Sequence, residues 1–251
     1  MLSKAKIKLI HSLGRKKQRI ATNLFVAEGT KIVSELLPHF RCELLLATNE
    51  WLAENDALEA KEIFAVSESE LRSASLMNAP QQVLAVFEQS THTLSFEQIN
   101  EQLTLVLDEV QDPGNLGTIV RIADWFGIRN VVCSPTCADI YNPKTTQATM
   151  GAVARVQVHY MDLGTFFGQL SKELPVYGTL LDGENMYEQS LSERGIIVMG
   201  SEGNGISPEI RKYVTQRLYI PHFPADAPTS ESLNVAVATA IVCAEFRRRK
   251  K

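Results

Sequence analysis

The segment LTLVLDEVQDPGNLGTIVRIADWF, residues 103–126, contains the strand and helix from which the fold can be predicted. Its first five residues form an uninterrupted apolar run, as expected of a strand that is buried on both faces of its sheet. The letters DPGN at residues 112–115 are a turn sequence, and residues 116–126 then have the apolar spacing of a helix. A buried strand followed by a helix predicts a parallel α/β sheet.

The remainder of the second half of the chain repeats this alternation. Short apolar runs predict further strands, and amphipathic stretches predict the helices between them. The predicted strands cover residues 130–133, 156–159, 176–181, 196–199 and 218–220, and the predicted helices lie around Thr145 and at residues 163–174 and 232–248. Ligands of such sheets bind beyond the carboxyl ends of the strands, so we expect the functional residues there.

The first half of the chain predicts a smaller α/β domain that ends at residue 90. Its predicted strands are residues 24–27, 42–47, 63–66 and 83–87, and its predicted helices are the first 20 residues, residues 30–37 and a helix to about Leu76. Ser67 followed by Glu70 is a capping-box pattern for that last helix. We therefore predict an N-terminal α/β domain at residues 1–90, a polar linker at 91–102 and a larger α/β domain at 103–251.

The composition is that of an ordinary globular protein. Of the 251 residues, 45% are apolar and 22% are charged, and no apolar stretch is long enough to cross a membrane. The basic start of the chain has no apolar core, so we do not expect a signal peptide. The four cysteines form neither a disulfide framework nor a zinc-site spacing, which favours reduced thiols, no metal and a cytoplasmic location.

The charge distribution indicates a partner that carries phosphate groups. The net charge is −4, yet residues 1–27 hold seven basic side chains and no acidic one, and the last five residues are all basic. Fields of this kind act locally, over roughly 10 Å in salt. The predicted phosphate contacts near the N-terminus are Lys4, Lys8, Arg15, Lys16, Lys17 and Arg19. The alternative is a solvated helix at each end of the chain.

Three polar or glycine-rich motifs each follow a predicted strand. They are DEVQDPGNLGTIVR at residues 108–121, MGSEGNGIS at residues 199–207, and a segment that begins with IPH at 220–222 and ends with ESLNVA at 231–236. Each motif alone is also explained by a turn or a helix cap. The second motif lacks the third glycine of a dinucleotide fingerprint, and no lysine follows it to make a P-loop.

Together and in this order, the motifs resemble those of the SpoU/TrmH family of RNA ribose methyltransferases in the SPOUT superfamily. The resemblance covers residues 103–246 and joins an Asn-x-Gly-x-x-x-Arg helix start, a Gly-x-Glu-Gly-x-Gly loop and a Ser-Leu-Asn-Val helix start. The turn FVAEG at residues 25–29 is similar to part of a ribosomal-protein-like RNA-binding domain that many family members carry. The resemblance implies a C-terminal trefoil knot that binds S-adenosylmethionine.

The resemblance also implies which residues form the site. The catalytic roles would belong to Asn115, Arg121, Glu202, Ser232 and Asn234, and the cofactor contacts to Thr179, Leu180, Gly200, Gly205, Ile220 and Leu233. We expect glycine at positions 200 and 205 because backbone amides there approach the cofactor without an intervening Cβ. The segment 221–231 is longer than is usual in the family and lacks a glycine often found there, which leaves its conformation open.

Methyl transfer to a hydroxyl requires in-line placement of the oxygen and stabilisation of its developing charge. A guanidinium ordinarily keeps its proton, so our hypothesis is that Arg121 stays charged and clamps the phosphate beside the target ribose. Its alternative role is an exposed helix residue that pairs with Asp124. Glu202 could instead hold its own loop by accepting from backbone amides, and Ser232 and Asn234 could cap the last helix.

The last helix indicates a homodimer. Its apolar residues cover most of its circumference, which is more than one core-facing stripe requires. In the family, the last helix and the first-motif helix pair between two subunits, so the resemblance implies a site that is completed by the partner's arginine. The predicted function is 2′-O-methylation of an RNA ribose, with ribosomal RNA as the first choice of substrate. The alternatives are a transfer RNA methyltransferase and a non-catalytic RNA-binding protein that keeps the fold.

Overall fold

The computed structural model describes residues 2–55, 58–224 and 232–248, and the chain divides into two compact units. The N-terminal unit comprises Met1–Thr91 together with Asp139–Ala154, and the C-terminal unit comprises His92–Ala138 and Arg155–Lys251. The sequence predicted a second domain that is continuous from residue 103. The structure differs, because sixteen residues between two strands of the C-terminal unit belong to the N-terminal unit.

The N-terminal unit contains a four-stranded mixed sheet. Its strands are β1 (Leu24–Glu28), β2 (Cys42–Ala47), β3 (Ile63–Ala65) and β4 (Val83–Glu88), in the order β1-β4-β2-β3. Its first five helices are α1 (Lys4–Ser12), α2 (Lys16–Thr22), α3 (Thr30–Leu36), α4 (Asn49–Glu54) and α5 (Glu68–Ala74). All four predicted strands are confirmed, and the predicted capping box of Ser67 and Glu70 opens α5. Sequence analysis missed α4 and the break between α1 and α2.

The C-terminal unit contains a six-stranded sheet in which every neighbouring pair is parallel. The strands are β5 (Leu103–Leu107), β6 (Asn130–Cys133), β7 (Gln157–Tyr160), β8 (Val176–Asn185), β9 (Gly195–Met199) and β10 (Gln216–Tyr219), in the order β10-β8-β9-β5-β6-β7. The helices along this half of the chain are α6 (Phe96–Glu101), α7 (Pro113–Trp125), α8 (Pro143–Thr149), α9 (Leu163–Gly168), α10 (Pro208–Arg211) and α11 (Val235–Arg248). The predicted parallel α/β architecture is confirmed.

The linker predicted at residues 91–102 is wrong in part, because α6 lies within it. Ser95 caps this helix by accepting a hydrogen bond from the Gln98 amide at 3.3 Å. Ile99 is fully buried, and the Phe96 ring lies 5.9 Å from that of Phe166 between centroids. These apolar side chains pack into the core of the C-terminal unit. Because the residues around them are polar, the composition of this segment predicted a linker instead of a helix.

The segment 139–154, which includes α8, packs within the N-terminal unit. The Tyr141 ring lies 4.6 Å from that of Phe25 on β1, and its hydroxyl donates to the Ser90 carbonyl at 3.2 Å. Three threonines of α8 are also buried. Nothing in the local spacing distinguishes this segment from an ordinary βαβ connection, because its partners lie more than fifty residues away.

Two other expectations concern segments near the chain's later motifs. The lengthened part of 221–231 falls largely on residues 225–231, which lie outside the described residues, and the knot implied by the resemblance stays a prediction.

No helix within residues 2–55, 58–224 and 232–248 is long and apolar enough to cross a membrane.

Candidate functional site

The candidate site lies at the carboxyl ends of β5 and β9, which are neighbours in the sheet. From β5 the chain continues to β6 and β7 on one side, whereas β9, β8 and β10 lie on the other side. Strand order therefore reverses at this pair, and such a point leaves a crevice for ligands. Asp108 joins the two strand ends, because its amide donates to the Met199 carbonyl at 2.9 Å and its buried carboxylate accepts from the Ser207 amide at 2.8 Å.

One side chain from each of the three motifs meets at this crevice. The Asn115 amide nitrogen donates to Glu202 Oε1 at 2.8 Å, and the Asn234 amide nitrogen donates to the same oxygen at 2.6 Å. The Asn234 nitrogen also lies 3.0 Å from Asn115 Oδ1. Asn115 and Asn234 are 119 positions apart in sequence. The structure thus brings three of the five predicted catalytic residues into one hydrogen-bonded cluster.

Helix caps fix two members of this cluster. The Asp112 side chain caps α7 by accepting a hydrogen bond from the backbone amide of Asn115 at 2.8 Å. Pro113 occupies the first turn, where no backbone donor is required. Asn234 Oδ1 accepts from the Ala236 and Val237 amides at 3.0 and 3.3 Å and so caps α11. The cap leaves the Asn234 nitrogen free to donate to the other motifs. Asn234 therefore caps α11 and also joins the cluster, whereas its catalytic role stays a prediction.

Glu202 binds the first and third motifs rather than its own loop. Besides the two asparagines, its Oε1 accepts from the Val235 amide at 3.5 Å. The alternative in which Glu202 holds its own loop through backbone amides is therefore wrong for the contacts in this structure. Ser201 and Gly205 close that loop instead, through a pair of backbone hydrogen bonds of 3.1 and 2.9 Å.

The physical reason proposed for the two glycines requires correction. A Cβ on Gly200 would lie 2.0 Å from the Gly205 carbonyl carbon and 2.2 Å from the Ile206 nitrogen. Gly200 is therefore required by the return of the loop's own backbone. Gly205 has a φ of +64°, in the left-handed region that favours glycine, and open space where its Cβ would be. Both glycines shape the loop, whatever the loop then contacts.

A cavity of about 810 Å³ adjoins the cluster. All six predicted cofactor residues line it, namely Thr179, Leu180, Gly200, Gly205, Ile220 and Leu233. Ser232 and Glu202 also line it. The sequence placed Thr179 and Leu180 at a strand end, but β8 continues to Asn185. Its register with β10 jumps from Gly178 to Glu184, so the intervening residues leave the ladder, and Thr179, Leu180 and Leu181 among them line this cavity.

A second cavity of about 270 Å³ lies beside the first. Both cavities are lined by the loop residues from Ser201 to Asn204 and by Val235. The second cavity alone is lined by Asn115 and by the first-motif residues from Glu109 to Asp112. The cluster of Asn115, Glu202 and Asn234 therefore lies at the wall between two adjoining spaces, one of them large and partly apolar.

Ser232 lines the larger cavity without joining the cluster, and Arg121 is the one predicted catalytic residue that neither joins the cluster nor lines a cavity. It is exposed on α7 and lines neither cavity. Within the part of the chain that the structure describes, its guanidinium has no hydrogen bond or ion pair. The pairing with Asp124 considered from the sequence is wrong, because Asp124 binds Arg155 at 2.8 to 3.1 Å.

Two polar residues of the larger cavity, His222 and Arg211, were not identified from the sequence. His222 lines the cavity and shares a 2.6 Å hydrogen bond with the Tyr219 hydroxyl. Its place directly after β10 was a signal that could have identified it. Arg211 also lines the cavity, and its Nε donates to the Ile206 carbonyl at 3.2 Å. No sequence pattern distinguished that arginine.

Five of the six predicted phosphate contacts are exposed, and one is not. Lys4, Lys8, Arg15, Lys16 and Lys17 lie on the surface of α1 and α2 and the turn between them. Arg19 is only 1% exposed, donates to the Leu13 carbonyl at 2.8 Å and binds Asp139 at 2.5 Å. The prediction that Arg19 contacts phosphate is wrong, because its charge is already neutralised inside the N-terminal unit.

The basic C-terminus is partly engaged as well. Arg247 donates to the Phe126 carbonyl at 2.7 Å, and Arg248 pairs with Glu245 at 2.7 Å. The final residues, 249–251, lie outside the described part of the chain. The contribution of this end to nucleic-acid binding therefore stays a prediction.

The cysteines lie away from both cavities and are all buried and free. A hydrogen bond with Cys133 lowers the pKa of Cys137 to about 7, whereas burial raises the pKa of Cys133 above its ordinary value. Among the residues that the structure describes, no group of three or more His, Cys, Asp or Glu side chains could hold a metal ion.

Two protein families match the chain. Residues 102–244 match the SpoU rRNA Methylase family, and residues 4–85 match the MRM3-like substrate binding domain. The chain is 32% identical over 246 residues to the 23S rRNA (guanosine(2553)-2′-O)-methyltransferase RlmP of Bacillus subtilis, with 96% of each chain covered. It is also 29% identical over 181 residues to the 23S rRNA (guanosine-2′-O-)-methyltransferase RlmB of Neisseria meningitidis, with 68% of this chain and 70% of that one covered.

Solved structures extend the similarity to the whole chain. An RNA methyltransferase of the TrmH family from Porphyromonas gingivalis is 43% identical, with a TM-score of 0.88 and all of each chain covered. An rRNA methyltransferase from Sinorhizobium meliloti with bound AdoMet is 28% identical, with a TM-score of 0.83 and with 99% of this chain and 96% of that chain covered. The similarity therefore includes both units of the chain.

Proposed function

The chain belongs to the SpoU rRNA methylase family, and from that membership we propose that it transfers a methyl group from S-adenosylmethionine to a ribose 2′-hydroxyl of ribosomal RNA. The observation that carries this proposal is the meeting of Asn115, Glu202 and Asn234 at the wall between two cavities. One cavity has the size and lining for the methyl donor. The other leaves space for the acceptor nucleotide beside the same three side chains.

The larger cavity suits S-adenosylmethionine by size and chemistry. Its apolar lining includes Leu180, Met199, Leu218 and Ile241, which offer surface to an adenine ring, and its glycine-containing loop exposes backbone donors and acceptors. Pockets for ligands of this size generally measure roughly 300 to 1,000 Å³, a range that includes this one. Backbone hydrogen bonds between Ser201 and Gly205 close the loop that exposes these groups.

When bound, S-adenosylmethionine supplies an electrophilic methyl group on a positively charged sulfur. The residues of this chain then have to place the ribose oxygen in line with that methyl group. Asn115 and Asn234 are held by helix caps and by Glu202, so their amides occupy fixed positions beside the acceptor. Such preorganised dipoles stabilise charge as the hydroxyl loses its proton. The hydroxyl proton is transferred to phosphate or to water.

Arg121 enters the site from a second copy of the chain. In one chain it is exposed and outside both cavities, although the proposed chemistry needs a cation beside the phosphate. The helices α7 and α11 pack against each other, and each leaves an apolar side chain in solvent: Trp125 is 84% exposed and Val237 is 50% exposed. A homodimer that buries this face would bring each Arg121 to the partner's cluster.

The assigned activity is tested first with the purified chain. Calorimetry with S-adenosylmethionine is expected to give saturable binding with one site per chain. Mapping of 2′-O-methylation across cellular RNAs, with and without the gene, is then expected to show the loss of a modification in ribosomal RNA. The proposed substrate would also place the chain in the cytoplasm, where ribosomal RNA is found.

Each alternative has its own outcome in this experiment. Loss of the modification from a transfer RNA, with ribosomal RNA unchanged, would identify a transfer RNA methyltransferase. If the chain does not bind S-adenosylmethionine and methylation is unchanged in every RNA class, the chain is a non-catalytic RNA-binding protein. The intact hydrogen-bonded cluster of Asn115, Glu202 and Asn234 favours catalysis.

The exposed basic surface of α1 and α2 gives a salt-dependence prediction. Replacing the five exposed cations Lys4, Lys8, Arg15, Lys16 and Lys17 by glutamine is expected to weaken RNA binding. Each lost phosphate contact should also lower the slope of log affinity against log salt by about one. Affinities for an in vitro transcribed 23S rRNA would be measured between low and high salt. S-adenosylmethionine affinity should not change.

The matched control is Lys61→Gln. Lys61 is an exposed lysine of the same unit, but Glu43 already binds its ammonium at 2.6 Å. This variant is expected to keep the wild-type salt slope. If the five-residue variant also keeps that slope, the basic surface is a solvated helix face and phosphate is bound elsewhere.

A further inference from the structure

Some residues that line the smaller cavity have no role in the proposed reaction. The cavity lies next to Asn115 and Glu202, where the proposed function places the target ribose. Glu109, Gln111 and Asp112 of the first motif also line this cavity. A base attached to that ribose would therefore occupy this cavity. This inference rests on the proposed function and adds the identity of the base.

The lining of this cavity favours a ligand that donates hydrogen bonds. Its lining residues include the acidic residues Glu109, Asp112 and Glu202, and no lysine, arginine or histidine is among the described residues that line it. Carboxylates accept hydrogen bonds and repel phosphate. The cavity is consequently unsuited to the RNA backbone. It suits the N–H groups on the edge of a base.

Two of the three carboxylates already have partners. Asp112 caps α7, and Glu202 accepts from both asparagines. The carboxylate of Glu109 has no hydrogen bond or ion pair anywhere in residues 2–55, 58–224 or 232–248. Glu109 is therefore the carboxylate of this cavity that remains available to a ligand.

The backbone of Glu109 is held in place. Its φ is +58°, a left-handed conformation that is uncommon for a residue other than glycine. Its amide donates to Ser134 Oγ at 3.0 Å, and its neighbours Asp108 and Val110 are both buried. The side chain thus starts from a fixed point on the cavity wall.

We propose that Glu109 selects guanine at the methylated nucleotide. Guanine presents two adjacent donors, N1–H and the N2 amino group, on its Watson–Crick edge, and the two oxygens of a carboxylate can accept both. Uracil offers one N–H between two carbonyl groups. Adenine and cytosine each offer an amino group beside an acceptor nitrogen. Only guanine pairs both of its edge donors with both oxygens of Glu109.

The test uses the full-length chain and a short synthetic RNA that carries the mapped site. The RNA is made with guanosine, inosine or adenosine at the target position, since inosine lacks only the N2 amino group. Wild-type protein is compared with Glu109→Gly, because glycine fits the left-handed backbone and removes the side chain together with its carboxylate. Glu109→Gln provides a second variant that keeps the side chain's size. Glu173→Gly, on an exposed turn after α9, is the matched control.

Wild-type protein is expected to prefer guanosine to inosine. Glu109→Gly should lower kcat/KM on guanosine by about 10- to 100-fold, the discrimination typical of a bidentate base contact, and should remove the preference over inosine. S-adenosylmethionine affinity should stay within about twofold of wild type, or roughly 0.4 kcal/mol. Glu173→Gly should behave as wild type.

Two results would overturn this assignment and leave the methyltransferase proposal intact. One is methylation by the wild-type chain at a base other than guanine. The other is a Glu109→Gly variant that keeps wild-type kcat/KM and the preference for guanosine. If the wild-type chain produces no 2′-O-methylated nucleoside in any RNA, the proposed function fails, and the role of Glu109 fails with it.

Discussion

Replacing Gly200 by alanine is expected to abolish S-adenosylmethionine binding and methyl transfer together. The new Cβ would lie 2.0 Å from the Gly205 carbonyl carbon and 2.3 Å from its oxygen, so the backbone of the loop would have to move. That loop lines the larger cavity and carries Glu202. We expect the affinity measured by calorimetry to fall by at least about 100-fold, or roughly 2.8 kcal/mol.

The control for this variant is Gly168→Ala. Gly168 ends α9 in the same unit, and nothing lies within 4 Å of the position where its Cβ would be. This substitution should leave cofactor affinity and thermal stability close to wild type. Circular dichroism of the Gly200→Ala protein would show whether the fold is kept. A folded Gly200→Ala protein that binds the cofactor as tightly as wild type would disprove the assignment of the cofactor to this loop.

Mixing two inactive variants is expected to restore activity if the site is shared between subunits. Arg121→Ala removes the cation that we propose a partner chain supplies, and Asn234→Ala breaks the cluster and the cap of α11. Each variant alone should be nearly inactive. A heterodimer has one site in which Arg121 and Asn234 are both intact, so random exchange should restore about a quarter of wild-type activity.

The design of the mixing experiment separates a shared site from one contained in a single chain. Subunit exchange would be demonstrated independently, with differently tagged chains that are purified in sequence. Variants mixed without exchange, under conditions that keep the dimers intact, provide the control and should stay inactive. If exchange is demonstrated and no activity returns, each chain carries its complete site, and Arg121 does not act across an interface.

The fold class could be predicted because its determinants are local. The apolar run at 103–107 became β5, and the capping box of Ser67 and Glu70 opens α5 as predicted. Periodicity and caps involve residues only a few positions apart, so a sequence displays them directly. The errors of assignment were also local. Phe96 and Ile99 lie in the short helix α6, which was not predicted because the residues around them are polar.

The location of the site could be predicted for the same kind of reason, whereas its individual residues came from the resemblance to the SpoU/TrmH family. The three motifs follow the ends of β5, β9 and β10, and parallel strands bring such ends to one edge of a sheet. All six predicted cofactor positions line one cavity as a result. The physical reason given for the glycines was nevertheless wrong at Gly200, because the clash is with the loop's own backbone.

Only the tertiary structure decided how distant residues are paired. Arg19 resembled a free surface cation in the sequence, yet it is buried against Asp139, 120 positions away. The same packing places residues 139–154 in the N-terminal unit. Asn115 and Asn234, 119 positions apart, share Glu202, whereas Arg121, six residues after Asn115, lies outside both cavities. Sequence spacing determines which residues share a strand end or helix face, but burial and pairing depend on three-dimensional proximity, which chain separation does not encode.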